Sequence, residues 1–276
     1  MRLSEKAYKS SHRKASHDVT MSEDKAIFSA SDVIHFVAKD ENITFESMKL
    51  PERLLVTYHR HTYRIAKKLV SGNSIDWWLK WTDQPFCVGQ FSGVRIAVGH
   101  LMVGAPAAAM TLELAIACGA RVIFEVGLSG GLQPFLQPGS IVIATTAMRD
   151  EGTSFHYLPP EVSVESSIAL RDSLIKHLKQ RKIKYSVGPV WSTDGVYRET
   201  RNKLQRFKSR GCLAVNMETS AIFAVAEFRG AEAASAQVIS DILTETEWRP
   251  HSFTHKSIRE NAKILLHSVL LVLSKS

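Results

Sequence analysis

Apolar positions along this chain fall in short runs that alternate between two periods. LLVTY (54–58), VRIAVGH (94–100), VIFEVG (122–127), SIVIATTAM (140–148), YSVGPVWS (185–192) and AEAASAQVIS (231–240) are apolar or β-branched runs of strand length. Helical spacing separates them at 63–70, in GAPAAAMTLELAIACGA (104–120), in ALRDSLIKHLKQR (169–181), in METSAIFAVAEFRG (217–230) and in HKSIRENAKILLHSVLLVL (255–273). The glycine closing the second of these is a helix stop. Strands alternating with helices of this length predict an α/β fold. The expected form is one domain over 31–276, with a largely parallel central mixed sheet flanked by helices. In such sheets ligands sit beyond the carboxyl ends of the strands. The residues to inspect are therefore 127–131, 148–156, 192–198, 215–218 and 240–241.

Composition changes this picture little. A hydrophobic fraction of 45% and a charged fraction of 22% suit a globular chain. No apolar run approaches the roughly 20 residues that span a bilayer, so no membrane partner is expected. The first 30 residues are polar, lack a periodic apolar face and read as a disordered basic extension. Residues 1–20 carry three of the eight net positive charges, and the rest is spread thinly. That distribution argues against a nucleic-acid partner. Cys87, Cys118 and Cys212 lie far apart with no metal spacing, which points to reduced thiols in a cytoplasmic protein without a metal.

Three strand ends hold candidate chemistry. Gly127-Leu128-Ser129-Gly130-Gly131 reads as a loop whose backbone N–H groups can converge on an anion, or as an ordinary structural turn. It matches neither a dinucleotide fingerprint nor a P-loop. In 148–156, Arg149, Asp150, Glu151 and His156 crowd together, either as chemistry or with Arg149 and Asp150 as an ion pair tying the loop down. Glu218 opens an almost wholly apolar helix. It is either a helix-start residue or a buried carboxylate that a diol or a cation would satisfy. Asp241, ending VISD, either caps the next segment or protonates a leaving group.

Together GLSGGLQPFLQPGSIVIATTAMRDEGTSFHYLPP, WSTDGVYRETR, AVNMETSAIF and VISD resemble the nucleoside phosphorylase/uridine phosphorylase superfamily, from about Ser31 to the C-terminus. SDVIHF (31–36) resembles its N-terminal S-D-V-x-H segment. The resemblance implies a pentosyltransferase, a nucleoside phosphorylase that cleaves the N-glycosidic bond with phosphate to give free base and ribose 1-phosphate. Phosphate is then a co-substrate and no cofactor is needed. It assigns the ribose hydroxyls to Glu218, the sugar face to Met217 and protonation of a purine to Asp241. Tyr197 and Arg201 fall at the base. Phosphate falls to Gly127, Ser129, Gly130 and Arg64. His35 would reach a neighbouring subunit's site, which implies a homo-oligomer, a dimer or a hexamer of dimers.

The chain also departs from that pattern. Its first strand ends in Thr57-Tyr58-His59-Arg60-His61 without a glycine. Glu125 stands where some relatives carry arginine, and Leu128 where a hydroxyl residue often follows Gly127. YRETR lacks the glutamine of pyrimidine-using members. A nucleosidase of the same fold, with water in place of phosphate, is the alternative. A nucleotide-binding protein without activity is the third reading.

Overall fold

A computed structural model describes residues 26–251 and 255–276. The chain opens with α1 (Ala30–Asp40), β1 (Arg53–Thr57), α2 (Arg60–Leu69), β2 (Asn73–Ser74), α3 (Asp76–Thr82), β3 (Phe86–Phe91) and β4 (Val94–His100). It continues with α4 (Ala105–Ala117), β5 (Val122–Gly131), β6 (Ile141–Asp150), β7 (Val164–Glu165), α5 (Ile168–Gln180) and β8 (Ser186–Thr193). It ends with α6 (Arg201–Ser209), β9 (Ala214–Asn216), α7 (Thr219–Phe228), β10 (Glu232–Leu243), β11 (Trp248–Arg249) and α8 (Lys256–Leu273). The expected basic extension lies, as far as Lys25, outside the described residues.

The sheet is mixed: β1 with β4 and β5, β5 with β10 and β6 with β8 pair in parallel, whereas β10 with β6 and β3 with β4 pair antiparallel. One feature of its topology shapes the site. β10 pairs with both β5 and β6, and β9 with both β8 and β5, so β5, β10, β6, β8 and β9 close into a ring. The remaining strands extend outward from β5 as β1, β4, β3 and β2. Ile34, Val37, Trp78, Leu112, Ala115 and Phe223 bring α1, α3, α4 and α7 onto one face. Tyr63, Leu170, Leu174, Leu265 and Val269 bring α2, α5 and α8 onto the other. A third cluster, of Trp191, Leu204, Phe207 and Val215, seats α6 against β8 and β9.

The expected strands and helices are present, with one correction. The segment 127–131 is not a loop but the second half of β5, paired with β10 on one side and, at Gly130 and Gly131, with β9 on the other. Its glycines answer to packing. A Cβ at Gly127 would stand 2.3 Å from Gln237 Oε1, and one at Gly130 2.3 Å from Leu243 Cδ1. Real Cβ atoms do not approach so closely, so a side chain at either position would have to displace Gln237 or Leu243.

In the cluster at 148–156, Arg149 and Asp150 both make contacts within the fold. Arg149 does not pair with Asp150; it donates to Ser154 Oγ and to the carbonyls of Leu158, Pro159 and Val162, clamping its own loop. Asp150 instead accepts from Trp191 Nε1 (3.0 Å) and Lys203 Nζ (2.8 Å).

Candidate active site

The exits of β5, β9 and β10 meet at a cavity of about 750 Å³. Its wall includes Tyr58, Leu128, Ser129, Gly130, Asn216, Met217, Glu218, Ser240 and Asp241. Tyr197, Glu199, Trp248 and His251 also line it.

Glu218 is 5% exposed and stands at the N-cap position of α7, yet its side chain makes no capping bond. Other groups serve that helix end: Asn216 Oδ1 accepts from the N–H groups of Glu218 (3.3 Å) and Thr219 (3.2 Å), and Ser192 Oγ accepts from Ser220 N–H. The Glu218 carboxylate is released from the helix and held instead by two backbone donors. Gly104 N–H reaches Oε1 at 2.8 Å and Met217 N–H reaches Oε2 at 3.1 Å. Gly104 adopts φ +108°, open to glycine and rare for side-chain-bearing residues, and so aims its N–H away from α4 at the carboxylate. Burial, and next the negative Glu125, push the Glu218 carboxyl up to about 7, against the pull of those two N–H groups.

Behind Glu218 lies a polar network that the sequence did not reveal. Glu125 is fully buried and receives hydrogen bonds from Tyr58 Oη (2.8 Å) and Thr219 Oγ1 (2.7 Å). Burial raises its carboxyl, and burial together with Glu125 drives the Tyr58 phenol well above its usual value. Tyr58 and Thr219 thus tie Glu125, an acid with no cation among these partners, to the cavity wall.

Asp241 owes its position to an irregularity. The β5–β10 register runs Ile239 to Ser129 and then Asp241 to Gly130, so Ser240 is an extra residue in β10. Such a bulge re-aims the following side chain. Asp241 Oδ1 accepts from Ser240 Oγ (2.5 Å) and Oδ2 from Trp248 Nε1 (2.8 Å). Ser129 lines the same cavity, its Oγ buried and without a hydrogen-bond partner among the described residues.

The structure therefore brings Asp241, Glu218, Met217, Ser129, Gly130 and Tyr197 onto one cavity. Tyr197 stands at its rim, 97% exposed. Four other expected residues lie outside its wall. His35 is exposed on α1, its ring stacked on Phe45 at 4.9 Å. Arg64 is exposed on α2, and Arg201 donates to the Glu245 carbonyl at 2.9 Å. Gly127 is spent on the ladder with β10. Sequence reasoning missed Glu199, Tyr58, Trp248 and His251. Only their nearness to strand ends hinted at them, and each enters the wall through long-range packing.

The phosphorylase superfamily pattern matches residues 79–272. Uridine phosphorylase of Thermococcus kodakarensis is 33% identical over 109 residues, 40% of this chain and 39% of that protein. Guanosine phosphorylase of Halorubrum lacusprofundi is 27% identical over 143 residues, 52% of this chain and 59% of that protein. The alignments thus span less than two thirds of these two relatives. With uridine phosphorylase of Haemophilus influenzae the identity is 25% over 214 residues, 72% of this chain and 83% of that protein. Among solved structures, uridine phosphorylase from Vibrio fischeri superposes with a TM-score of 0.75 at 25% identity, covering 84% of this chain and 95% of that one. With the family pattern running from α3 into α8, well over half of its length, the chain belongs to the phosphorylase superfamily.

Proposed function

We propose that this chain is a pentosyltransferase that cleaves the N-glycosidic bond of a nucleoside and passes the ribosyl group to phosphate, the co-substrate that phosphorylases use without a further cofactor. One observation carries the reading: Glu218, freed from capping its own helix, shares a cavity with Asp241. Bond cleavage develops positive charge on the sugar and negative charge on the base. A carboxylate at one end and an acid at the other stabilise both. Glu218 takes the ribose hydroxyls and Met217 packs on the sugar. The orphaned Ser129 hydroxyl supplies a donor for an oxygen of the acceptor or of the sugar.

A second reading, hydrolysis, has its own support. No arginine or lysine lines the cavity among the described residues, and an acid, Glu125, lies behind its wall. A nucleoside panel assayed with and without phosphate separates the two readings. Cleavage that requires phosphate and yields ribose 1-phosphate is the expected outcome. Free ribose formed at the same rate in phosphate-free buffer would replace phosphorolysis with hydrolysis.

His35, exposed and outside this chain's own cavity, supports an oligomer in which it completes a partner's site. The expected species in analytical ultracentrifugation is a dimer or a hexamer of dimers. A fully active species at the 30.8 kDa of one chain would refute it.

A further inference from the structure

Folding gathers on one side of the sheet a positive charge that is thinly spread along the chain. α8 packs against both α2 and α5, and all three helices turn their apolar sides inward through Tyr63, Leu174 and Leu265. What they turn outward is basic. Residues 60–70, 168–184 and 256–276 hold fourteen of the 35 lysines and arginines but only two acids, Asp172 and Glu260. Each acid is already engaged on its own helix, Asp172 with Arg171 (3.2 Å) and Glu260 with Lys256 (3.9 Å). Arg64 and Lys68 on α2, Lys176 and Lys179 on α5, and Arg259 and Lys263 on α8 are exposed and make no ion pair among the described residues. The ends of α5 and α8 share one field: burial first, then Arg181, Lys275 and His267, hold His177 below the usual imidazole value.

Cations held together on a packed layer repel one another, and a polyanion relieves that repulsion while releasing its own counterions. The opposite side of the sheet has a different surface, where Phe36 of α1, Trp81 of α3 and Met110 of α4 are exposed. An oligomer formed there through His35 would leave the basic layer open. The make-up of the layer selects among polyanions. Its helices expose no phenylalanine, tyrosine or tryptophan among the described residues, and so offer no stacking platform for single-stranded bases. Their large exposed apolar side chains are Ile168 and Ile264, too few to insert into a lipid surface. α8, of 18 residues, is about 27 Å long, a length over which a duplex carries about 16 phosphates. We propose that α2, α5 and α8 form a docking surface for the phosphate backbone of a nucleic-acid duplex, bound by charge and without regard to base sequence.

The test titrates the full chain against a fluorescein-labelled DNA duplex of about 20 base pairs, read by anisotropy at about 50 and about 200 mM salt. With about four phosphates neutralised, wild-type affinity should fall on the order of 100-fold over that range. Lys176→Glu, Lys179→Glu, Arg259→Glu and Lys263→Glu combined, in a protein with an unchanged melting transition, should weaken binding at least about 100-fold at the lower salt. Should the glutamates disturb the fold, glutamine at the same four positions is expected to weaken binding at least about tenfold. Lys6→Gln, Lys9→Gln, Arg13→Gln and Lys14→Gln combined control for the basic N-terminal segment and should leave affinity within about threefold of wild type. No binding at the lower salt, binding that survives the helix substitutions, or binding lost with the N-terminal ones overturns the proposal. Co-sedimentation with phosphatidylserine vesicles without duplex binding would overturn it in favour of a membrane surface.

Discussion

Replacing Glu218 by glutamine is expected to lower kcat/KM about 100-fold or more while leaving the protein folded. The loss follows from charge: a glutamine can still meet ribose hydroxyls but cannot stabilise the positive sugar of the transition state. Retained shape is expected because the helix end is capped by Asn216 and Ser192, not by Glu218. A second consequence concerns stability. Glu218 is held at about 7 in the fold against an ordinary 4.5, so the folded state keeps its proton over a range where the unfolded chain has released it. Its favourable contribution is complete below about pH 4.5 and is lost as pH rises through about 7. That amounts to about 3 kcal/mol across the window. The glutamine variant carries no such ionisation. Its melting temperature relative to wild type should therefore climb between pH 5 and pH 8. A relative melting temperature that is flat or falls over that range would contradict the burial of an ionisable acid here. Near-normal kcat/KM in a folded variant would remove Glu218 from the ribose site.

Asp241→Asn should depress purine nucleoside turnover by ~10²–10⁴-fold and pyrimidine turnover far less. A purine leaving group gains a proton at its imidazole-ring nitrogen as the bond breaks. A pyrimidine instead spreads negative charge onto its carbonyl oxygens, which amide and guanidinium donors serve better. Asparagine retains a carbonyl oxygen for Ser240 Oγ or Trp248 Nε1, so the bulge and the wall should survive. Asp241 as a mere cap predicts the opposite pattern: a lower melting temperature with the purine-to-pyrimidine ratio unchanged. Full purine activity in the variant, or a wild type that cleaves uridine faster than inosine and adenosine, would remove Asp241 from the role of general acid.

What could be read along the chain was whatever depends on near neighbours. Runs such as VRIAVGH and the almost wholly apolar helix after Glu218 declare their period within a few residues, so the α/β alternation and most element positions are legible. Glu218 and Asp241 were legible as candidates for a related reason: a carboxylate set against an apolar helix or strand is costly to bury and needs an explanation. The glycine run is visible in the sequence but reads as a loop, because only β9 and β10, once in place, pair it as a strand on both sides. The two roles open to Glu218 were divided by a hydrogen bond from Gly104, 114 residues away in sequence. Asp241 was aimed by a bulge that exists only in the register with β5. Glu125, Tyr58 and Glu199 stand far apart along the chain, and only the assembled sheet brings Tyr58 and Glu199 to one cavity with Glu125 behind its wall. Periodicity is set by local backbone geometry, whereas the meeting of side chains across strands is set by register and packing, which no short stretch of sequence encodes by itself.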